Sequence, residues 1–206
     1  MPVSRLAPIR FTPAVVLAAV ALTSCTTASR VARMPLAAMR EAPPTDVDTT
    51  AVAVGAEAPT FTLPAQDGQP WSLAEALQKG PVVVVFYRGD WCPYCRSQLA
   101  ELQTFMPQLR ERHAQVVGIA PDGVERYAVL HEELGLGDGF DLLHDEGAAV
   151  IQQYGVYDAE TETAWPALYV LTLQDGQPTV HWRSLAETYK KREAPKAILQ
   201  ALATIK

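Results

Sequence analysis

The clearest hydrophobic pattern is a continuous apolar run at residues 82–87, followed by a second, largely apolar run at residues 115–120. Apolar runs that do not alternate with polar residues are typical of strands buried on both faces of a parallel sheet. From Pro93 onward, apolar side chains recur at three- to four-residue spacing, which predicts a helix that bends at Pro107. Two buried strands joined by a helix indicate an α/β domain.

Shorter patterns on both sides extend this order. They predict a strand at 61–63, a turn at 66–69 and a helix capped by Ser72 and Glu75. After the second apolar run they predict a helix that is capped by Asp122 with Glu125 and ends near Gly135, a strand at 140–143 and a helix at 147–154. A hairpin of strands 167–173 and 178–182 follows, and a last helix begins near Ala194 with Pro195 at its first position. The sequence therefore predicts an α/β fold with a mixed central β-sheet flanked by helices.

The first residues form a separate segment with the features of an export signal. Arg5 and Arg10 precede an apolar stretch at residues 11–22, which is too short to span a bilayer. Leu-Thr-Ser-Cys, ending at Cys25, follows and resembles the lipobox of bacterial lipoproteins, in which small residues precede a cysteine that carries lipid. An ordinary signal peptide with a chance cysteine is the alternative. We predict a signal peptide at residues 1–24 and lipidation of Cys25.

The chain from Cys25 onward divides into a tether and one domain. Residues 25–50 are rich in Ala, Thr and Pro without sustained apolar periodicity, which predicts a lipid anchor followed by a flexible linker. Residues 51–206 have the length of a single domain. We therefore expect a lipid-anchored protein of the cell envelope that faces the periplasm and has the membrane as a partner through its anchor. In that oxidising compartment a dithiol persists only if another molecule reduces it.

Composition narrows the functional classes. Hydrophobic residues make up 49% of the 206 residues, which is enough for a sizeable core and excludes a disordered protein. The net charge is -6 and the chain has no long Lys/Arg-rich run, so nucleic acid is not an expected partner.

The candidate chemistry lies in the sequence WCPYC, which follows the first buried strand and opens the helix. This placement puts Cys92 at the N-cap, with Pro93 preorganised at the first helical position. Free backbone N–H groups and the helix dipole favour a thiolate there, so we expect Cys92 to be the more exposed and more reactive sulfur. Cys95 lies one turn further on the same face, within reach of a Cys92–Cys95 disulfide.

Other uses of two cysteines fit the sequence less well. A zinc site needs four ligands, and the histidines are scattered. Covalent haem requires a histidine where Arg96 stands. A structural disulfide remains open, although so short a loop removes little chain entropy. We favour redox chemistry and expect neither a metal nor a cofactor.

The phrases around these cysteines resemble the alkyl hydroperoxide reductase and thiol-specific antioxidant (AhpC/TSA) redoxins. The quoted segments are VGAEAPTFTLPAQDGQPWSL, VVVVFYRGDWCPYC, VVGIAPDGVERYAVLHEELGL, FDLLHDEGAAVIQQYGV and WPALYVLTLQDGQ. The resemblance implies a thioredoxin-like fold, reduction of hydroperoxides and a thioredoxin-like electron donor.

The sequence departs from the peroxiredoxin motif Pro-x-x-x-Thr/Ser-x-x-Cys at several positions. Counted from the end of the strand, the motif's proline falls on Arg88, its threonine on Cys92 and its peroxidatic cysteine on Cys95. The strand arginine that assists peroxide falls on Pro166. The WCxxC motif and Pro166 resemble thioredoxins instead, so we expect a cis peptide bond between Trp165 and Pro166, facing Cys92.

Residues next to the cysteines are candidates for supporting roles. Arg88 either holds a thiolate or peroxide oxygen or is a solvated loop residue. Trp91 and Trp165 either form an apolar rim for a partner or pack in the core. Asp90 is expected to face water, because an inward carboxylate would raise the pKa of a nearby thiol.

Two redox activities and one binding function fit these residues. We interpret the chain as a peroxiredoxin-like antioxidant enzyme in which Cys95 meets the peroxide and Cys92 condenses with it. Thiol–disulfide exchange with protein substrates, with Cys92 attacking first, is the alternative. Envelope copper-delivery proteins are a third class, but they have a wider cysteine spacing and a histidine ligand.

Overall fold

A computed structural model of the protein describes residues 42–44 and 46–205. The predicted signal peptide, Cys25 and most of the predicted tether lie outside these residues. Within the part that is described, no helix has both the length and the hydrophobicity to cross a bilayer.

A five-stranded mixed sheet forms the centre of the domain, in the order β5-β4-β3-β8-β9. The first three strands in this order are parallel, while β8 and β9 are antiparallel to their neighbours. The strands are β1 (Thr62–Pro64), β2 (Pro70–Ser72), β3 (Val82–Phe86), β4 (Gln115–Ala120), β5 (Phe140–His144), β6 (Tyr157–Asp158), β7 (Thr163–Ala164), β8 (Ala167–Gln174) and β9 (Gln177–Leu185). The predicted mixed central sheet is confirmed.

Strand β3 lies in the middle of this sheet and contributes to both cores. Alternate side chains of a strand point to opposite faces. Val82, Val84 and Phe86 belong to one buried cluster, while Val83 and Val85 belong to the other. Burial on both faces explains the unbroken apolar run from which this strand was predicted.

Helices contribute to both of these cores. They are α1 (Val47–Thr50), α2 (Leu73–Leu77), α3 (Pro93–Arg110), α4 (Val124–Glu133), α5 (Ala149–Gln153) and α6 (Pro195–Leu202), with a 3-10 turn at Glu146–Ala148. Helices α2 and α5 contribute to the first core, and α3, α4 and α6 to the second. The second core also contains Cys92 and Cys95.

The predicted start of α4 is wrong, whereas that of α2 is confirmed. Ser72 accepts a hydrogen bond from the backbone N–H of Glu75, as the capping-box spacing predicts. The N-cap of α4 is Gly123, which has no side chain that could accept a capping hydrogen bond. Asp122 instead accepts the backbone N–H of Asp90, so its carboxylate holds the loop before α3.

Some small features were not predicted from the sequence, among them strand β2, which pairs with β1. Strands β6 and β7 pair into a short hairpin. Helix α1 forms at the end of the predicted tether, and Val47 is buried in the first core. Thr50 fastens this helix by donating its hydroxyl hydrogen to the carbonyl oxygen of Gly155, at 2.8 Å. Ordered structure therefore begins before residue 51.

Gly155 allows the close approach of α1. It has a φ of +67°, and a Cβ at this position would lie 2.0 Å from the carbonyl oxygen of Thr50. Gly155→Ala should lower the free energy of unfolding by about 3 kcal/mol, because a strained backbone and a backbone clash combine. Chemical denaturation measures this change.

Gly135→Ala is the matched control. Its φ is +60°, but a Cβ there meets no atom within 4 Å. Gly135→Ala should lower the free energy of unfolding by only about 1 kcal/mol, because alanine disfavours a positive φ but meets no clash here. Equal losses in the two variants would contradict the docking role of Gly155.

Candidate active site

Cys92 and Cys95 lie at the start of α3, as the sequence predicted. Cys92 is the N-cap residue and Pro93 occupies the first turn. The carbonyl oxygen of Cys92 accepts the backbone N–H of Cys95 at 3.1 Å and that of Arg96 at 3.0 Å. Both cysteines are free thiols. The strand-to-helix turn therefore places the two sulfurs within one helical turn.

The loop that leads to Cys92 is tightly packed, and Asp90 does not face water as expected. The Asp90 side chain is 15% exposed and forms an ion pair with Arg126. The backbone N–H of Asp90 donates to Asp122 at 2.6 Å. A Cβ on Gly89 would lie 2.5 Å from the indole nitrogen of Trp91, so only glycine fits this turn. These contacts keep the charge of Asp90 paired.

The expectation that Cys92 is the more exposed sulfur is wrong. Both Cys92 and Cys95 are 0% exposed. The connection between β9 and α6, residues 186–194, lies against the site and was not expected there. Its Tyr189 packs edge-on against Tyr94 of α3, with ring centroids 5.7 Å apart.

Arg192 in this connection contacts the sulfur of Cys95 directly. Its Nη2 lies 3.5 Å from the Sγ of Cys95 and donates a hydrogen bond to it. Its Nη1 donates to the carbonyl oxygen of Thr188, which holds the guanidinium in place. The sequence analysis did not single out Arg192, because it lies 97 positions from Cys95 in a segment without a recognisable motif.

The surroundings favour a thiolate on Cys95. Burial acts to raise the pKa of this thiol, but donors to the sulfur outweigh it and lower the pKa to about 6. These donors are the thiol of Cys92, the guanidinium of Arg192 and the backbone N–H of Arg88. These donors therefore stabilise the thiolate of Cys95 against the effect of its burial.

The same contacts disfavour a thiolate on Cys92. Its thiol donates to Cys95, which raises the pKa of Cys92, and burial raises it further. Cys92 is the N-cap, but its side chain makes no capping hydrogen bond. Both causes act against the thiolate that was expected on Cys92.

Arg88 is neither a solvated loop residue nor a direct ligand of a sulfur through its side chain. It is 2% exposed. Its guanidinium carbon lies 5.2 Å from the centroid of the Trp91 ring and 5.0 Å from that of Tyr189. Burial lowers the pKa of Arg88, while the nearby cysteines oppose that shift. The side chain thus joins the loop before α3 to the connection after β9.

The two tryptophans have different environments. Trp165 is 1% exposed, and its indole N–H donates to the carbonyl oxygen of Ala186 at 2.8 Å. It therefore packs in the core. Trp91 is only partly buried and lies against the second core. A rim made of both rings is not present.

Pro166 does not form the expected cis bond, since the described residues contain no cis peptide bond. The chain is extended here and pairs on both sides. The backbone N–H of Trp165 donates to Val156 at 2.7 Å, and the carbonyl oxygen of Pro166 accepts the N–H of Ala186 at 2.9 Å. A trans bond continues this pairing directly into β8.

A metal centre is not apparent in the described part of the chain. No three His, Cys, Asp or Glu side chains gather there in a way that would hold a metal ion. The chemistry available at this site is that of a buried thiolate, a neighbouring thiol and two guanidinium groups.

Residues 54–175 match the AhpC/TSA family. The chain belongs to the AhpC/TSA family. Chloroplastic peroxiredoxin Q of Sedum lineare is 37% identical over 105 residues, which is 51% of this chain and 55% of that protein. A putative peroxiredoxin of Mycobacterium tuberculosis is 35% identical over 109 residues, or 53% of this chain and 68% of the relative. The chain thus spans about half the length of the first of these relatives.

Solved structures have a fold similar to that of this chain. The crystal structure of peroxidoxin BcpB from Mycobacterium tuberculosis has a TM-score of 0.66 and 25% identity, covering 74% of this chain and 97% of that one. Reduced 2-Cys peroxiredoxin from Plasmodium vivax has a TM-score of 0.64 at 20% identity, covering 74% and 81%. The second likeness concerns the fold alone. The thioredoxin-like α/β fold is confirmed.

Removing the guanidinium of Arg192 should shift the titration of this AhpC/TSA site. The wild-type protein should form one thiolate with a pKa of about 6. In Arg192→Met this pKa should rise by about one unit or more, because an adjacent positive charge is lost. Ultraviolet thiolate absorbance against pH measures the shift.

Arg96→Met is the control for this titration. Arg96 follows Cys95 directly, but its guanidinium pairs with Glu133 at 2.8 Å. We expect its thiolate pKa to match that of the wild type. An unchanged pKa in Arg192→Met would refute the assignment of Arg192 to the sulfur.

Proposed function

We propose that this protein reduces hydroperoxides with Cys95 as the peroxidatic sulfur and Cys92 as the resolving sulfur. The observation that carries the proposal is the guanidinium of Arg192, which donates a hydrogen bond to the buried Sγ of Cys95 at 3.5 Å. The thiolate is the form of cysteine that attacks peroxide. The hydrogen-bond donors around each sulfur decide which of the two cysteines is more readily a thiolate.

The first step oxidises Cys95. Its thiolate attacks one oxygen of the hydroperoxide, so that a sulfur–oxygen bond forms while the oxygen–oxygen bond breaks. The sulfur becomes a sulfenic acid. The other oxygen leaves with the electron pair and takes up a proton, giving water or an alcohol.

The second step closes the disulfide. Cys92 loses its thiol proton and attacks the sulfenic sulfur of Cys95, so that the two sulfurs bond and the hydroxyl departs as water. The two residues share one helical turn, and no other cysteine lies between residues 26 and 206. The intramolecular Cys92–Cys95 disulfide is therefore the expected product.

Reduction of that disulfide needs an external dithiol. We propose a thioredoxin-like electron donor, which attacks one sulfur of the pair and leaves as its own disulfide. The similarity of about half of this chain to peroxiredoxin Q of Sedum lineare supports the peroxidase assignment.

Exchange with protein disulfides fits the geometry less well than peroxide reduction. In exchange, Cys92 would attack a partner's disulfide, which requires an accessible thiolate on this sulfur. Cys92 is 0% exposed and its pKa is raised. A small peroxide needs less opening of the site than a protein substrate does.

Serine variants with a trap for sulfenic acid test which sulfur meets the peroxide. Under hydrogen peroxide, Cys92→Ser should accumulate trapped adduct on Cys95, because no thiol remains to condense with it. Cys95→Ser should show at least about tenfold less adduct, since burial still disfavours a thiolate on Cys92. Mass spectrometry locates the adduct. Adduct mainly on Cys92 would make exchange the better assignment.

Insulin reduction by the same purified domain is the companion measurement. A peroxidase of this kind should consume peroxide with a thioredoxin-like donor and reduce insulin disulfides slowly. Fast insulin reduction without peroxide consumption would contradict the peroxidase proposal. A charge-transfer band on copper titration of the reduced protein would instead favour copper delivery.

We also propose that the protein is anchored in the cell envelope through lipid on Cys25. The support is the sequence alone: a positive segment, a short apolar stretch and the lipobox-like Leu-Thr-Ser-Cys. Such an anchor would hold the redox domain at a membrane surface on the periplasmic side.

Cys25→Ser tests the anchor in a bacterial host. The wild-type protein should incorporate a labelled fatty acid and sediment with membranes, because an acylated cysteine partitions into lipid. The variant should take up no label and be released or remain unprocessed. A wild-type protein that incorporates no label would refute the anchor.

A further inference from the structure

The turn at residues 88–91, which leads into α3, is held by the loop that follows β4. Strands β3 and β4 are parallel neighbours, so the segments that follow them lie side by side at one edge of the sheet. Asp122, two residues after β4, accepts the backbone N–H of Asp90 at 2.6 Å. A Cβ on Gly89 would lie 2.6 Å from the same carboxylate oxygen. The carboxylate of Asp122 is therefore packed directly against the backbone of this turn.

Other contacts fix the turn relative to its neighbours. Arg126 of α4 forms an ion pair with the side chain of Asp90. The backbone N–H of Cys92 donates to the carbonyl oxygen of Gly89 at 3.2 Å, which closes the turn onto the start of α3. The turn is thus held at a backbone N–H, at a side chain and at the helix that follows it.

The carboxylate of Asp122 is retained at a cost to stability. Its burial raises the pKa to about 6 against the hydrogen bond from Asp90, and the charge of Asp90 also raises it. The charges of Arg126 and His144 act in the opposite direction. Because the pKa is raised in the folded state, the stability that this group contributes at low pH is lost as the pH rises through about 6. Perturbed carboxylates of this kind are concentrated at functional sites.

A series of contacts connects the turn to the sulfur of Cys95. Arg88 in the turn lies between the rings of Trp91 and Tyr189, at 5.2 and 5.0 Å from their centroids. Three residues after Tyr189, Arg192 donates to the Sγ of Cys95 at 3.5 Å. A displacement of the turn therefore displaces, through Arg88 and Tyr189, the segment that carries Arg192.

We propose that Asp122 is a positioning residue for Cys95: by fixing the turn at residues 88–91, its carboxylate oxygen keeps the guanidinium of Arg192 on the sulfur. The proposal rests on the peroxidase function above, in which this sulfur attacks as a thiolate. The oxygen of Asp122 acts as a hydrogen-bond acceptor, so an amide at this position should serve as well and an alanine should not.

Replacement of Asp122 separates the acceptor from the charge. In Asp122→Ala the pKa of the Cys95 thiol should rise by about half a unit or more, because the turn loses its acceptor and the guanidinium leaves the sulfur. In Asp122→Asn the pKa should stay within about 0.2 units of the wild-type value, since the amide oxygen accepts the same N–H. The rate of alkylation of Cys95 by iodoacetamide against pH, with the product located by mass spectrometry, measures each pKa.

A double-mutant cycle tests the route to the sulfur. In the Arg192→Met background, Asp122→Ala should change the pKa of Cys95 by less than about 0.2 units, because the guanidinium through which it acts is gone. Tyr189→Leu removes the ring that joins Arg88 to the segment of Arg192, and it should raise this pKa as well. This variant keeps the route testable if Asp122→Ala does not fold.

Asp145→Ala is the matched control. Asp145 follows β5, and its carboxylate also holds a turn of the backbone, by accepting the N–H groups of Val150 and Ile151 at 3.1 and 2.8 Å. Its loss should lower the stability of the protein and leave the pKa of Cys95 unchanged.

Several results would overturn the positioning role. These are an unchanged pKa of Cys95 in Asp122→Ala or in Tyr189→Leu, equal rises in Asp122→Asn and Asp122→Ala, an equal rise in Asp145→Ala, and full additivity with Arg192→Met. None of these measurements uses peroxide. If the peroxidase function failed, hydrogen peroxide would oxidise the wild-type protein no faster than a free thiol while the pKa values kept the expected pattern, so the two failures are distinguishable.

Discussion

The guanidinium of Arg192 donates to the sulfur of Cys95 at 3.5 Å, in a site where both cysteines are shielded from solvent. Burial alone would keep a thiol protonated, because it penalises the charged form. The charge of Arg192 and the thiol of Cys92 reverse this outcome. A buried thiolate with fixed donors is the condition under which peroxide chemistry is possible here, and the loop, the helix start and the connection after β9 are arranged around it.

The site joins parts of the chain that are far apart in sequence. The start of helix α3 supplies Cys92 and Cys95, while the connection at residues 186–194 supplies Tyr189 and Arg192. Arg88 links the two parts, since its guanidinium lies between Trp91 and Tyr189. Cation–π contacts of this kind are stronger when they are removed from water, as Arg88 is. Arg88 therefore acts on the site through the surrounding structure, whereas Arg192 acts on the sulfur of Cys95 itself.

The family pattern places an arginine on a strand, and this chain has Pro166 at that position. The structure shows a guanidinium at the sulfur from another element, because the connection after β9 lies against helix α3. An electrostatic requirement of this kind is met by any segment that brings a positive charge to the same point in space. A departure from a sequence motif is therefore weak evidence that the chemistry has been lost.

The order of strands and helices was predictable from the sequence, because the apolar runs at β3 and β4 and the spacing in α3 reflect burial that extends over whole elements. The WCPYC motif likewise located both cysteines at a helix start. The sequence misled where contacts between distant segments outweigh local preference. The neighbouring Cys95 acts against the thiolate that was expected on Cys92, and Asp90 pairs with Arg126 instead of facing water. Arg192 could not be identified from the sequence, because its contact with Cys95 spans 97 positions and arises from packing, which leaves no local pattern in the chain.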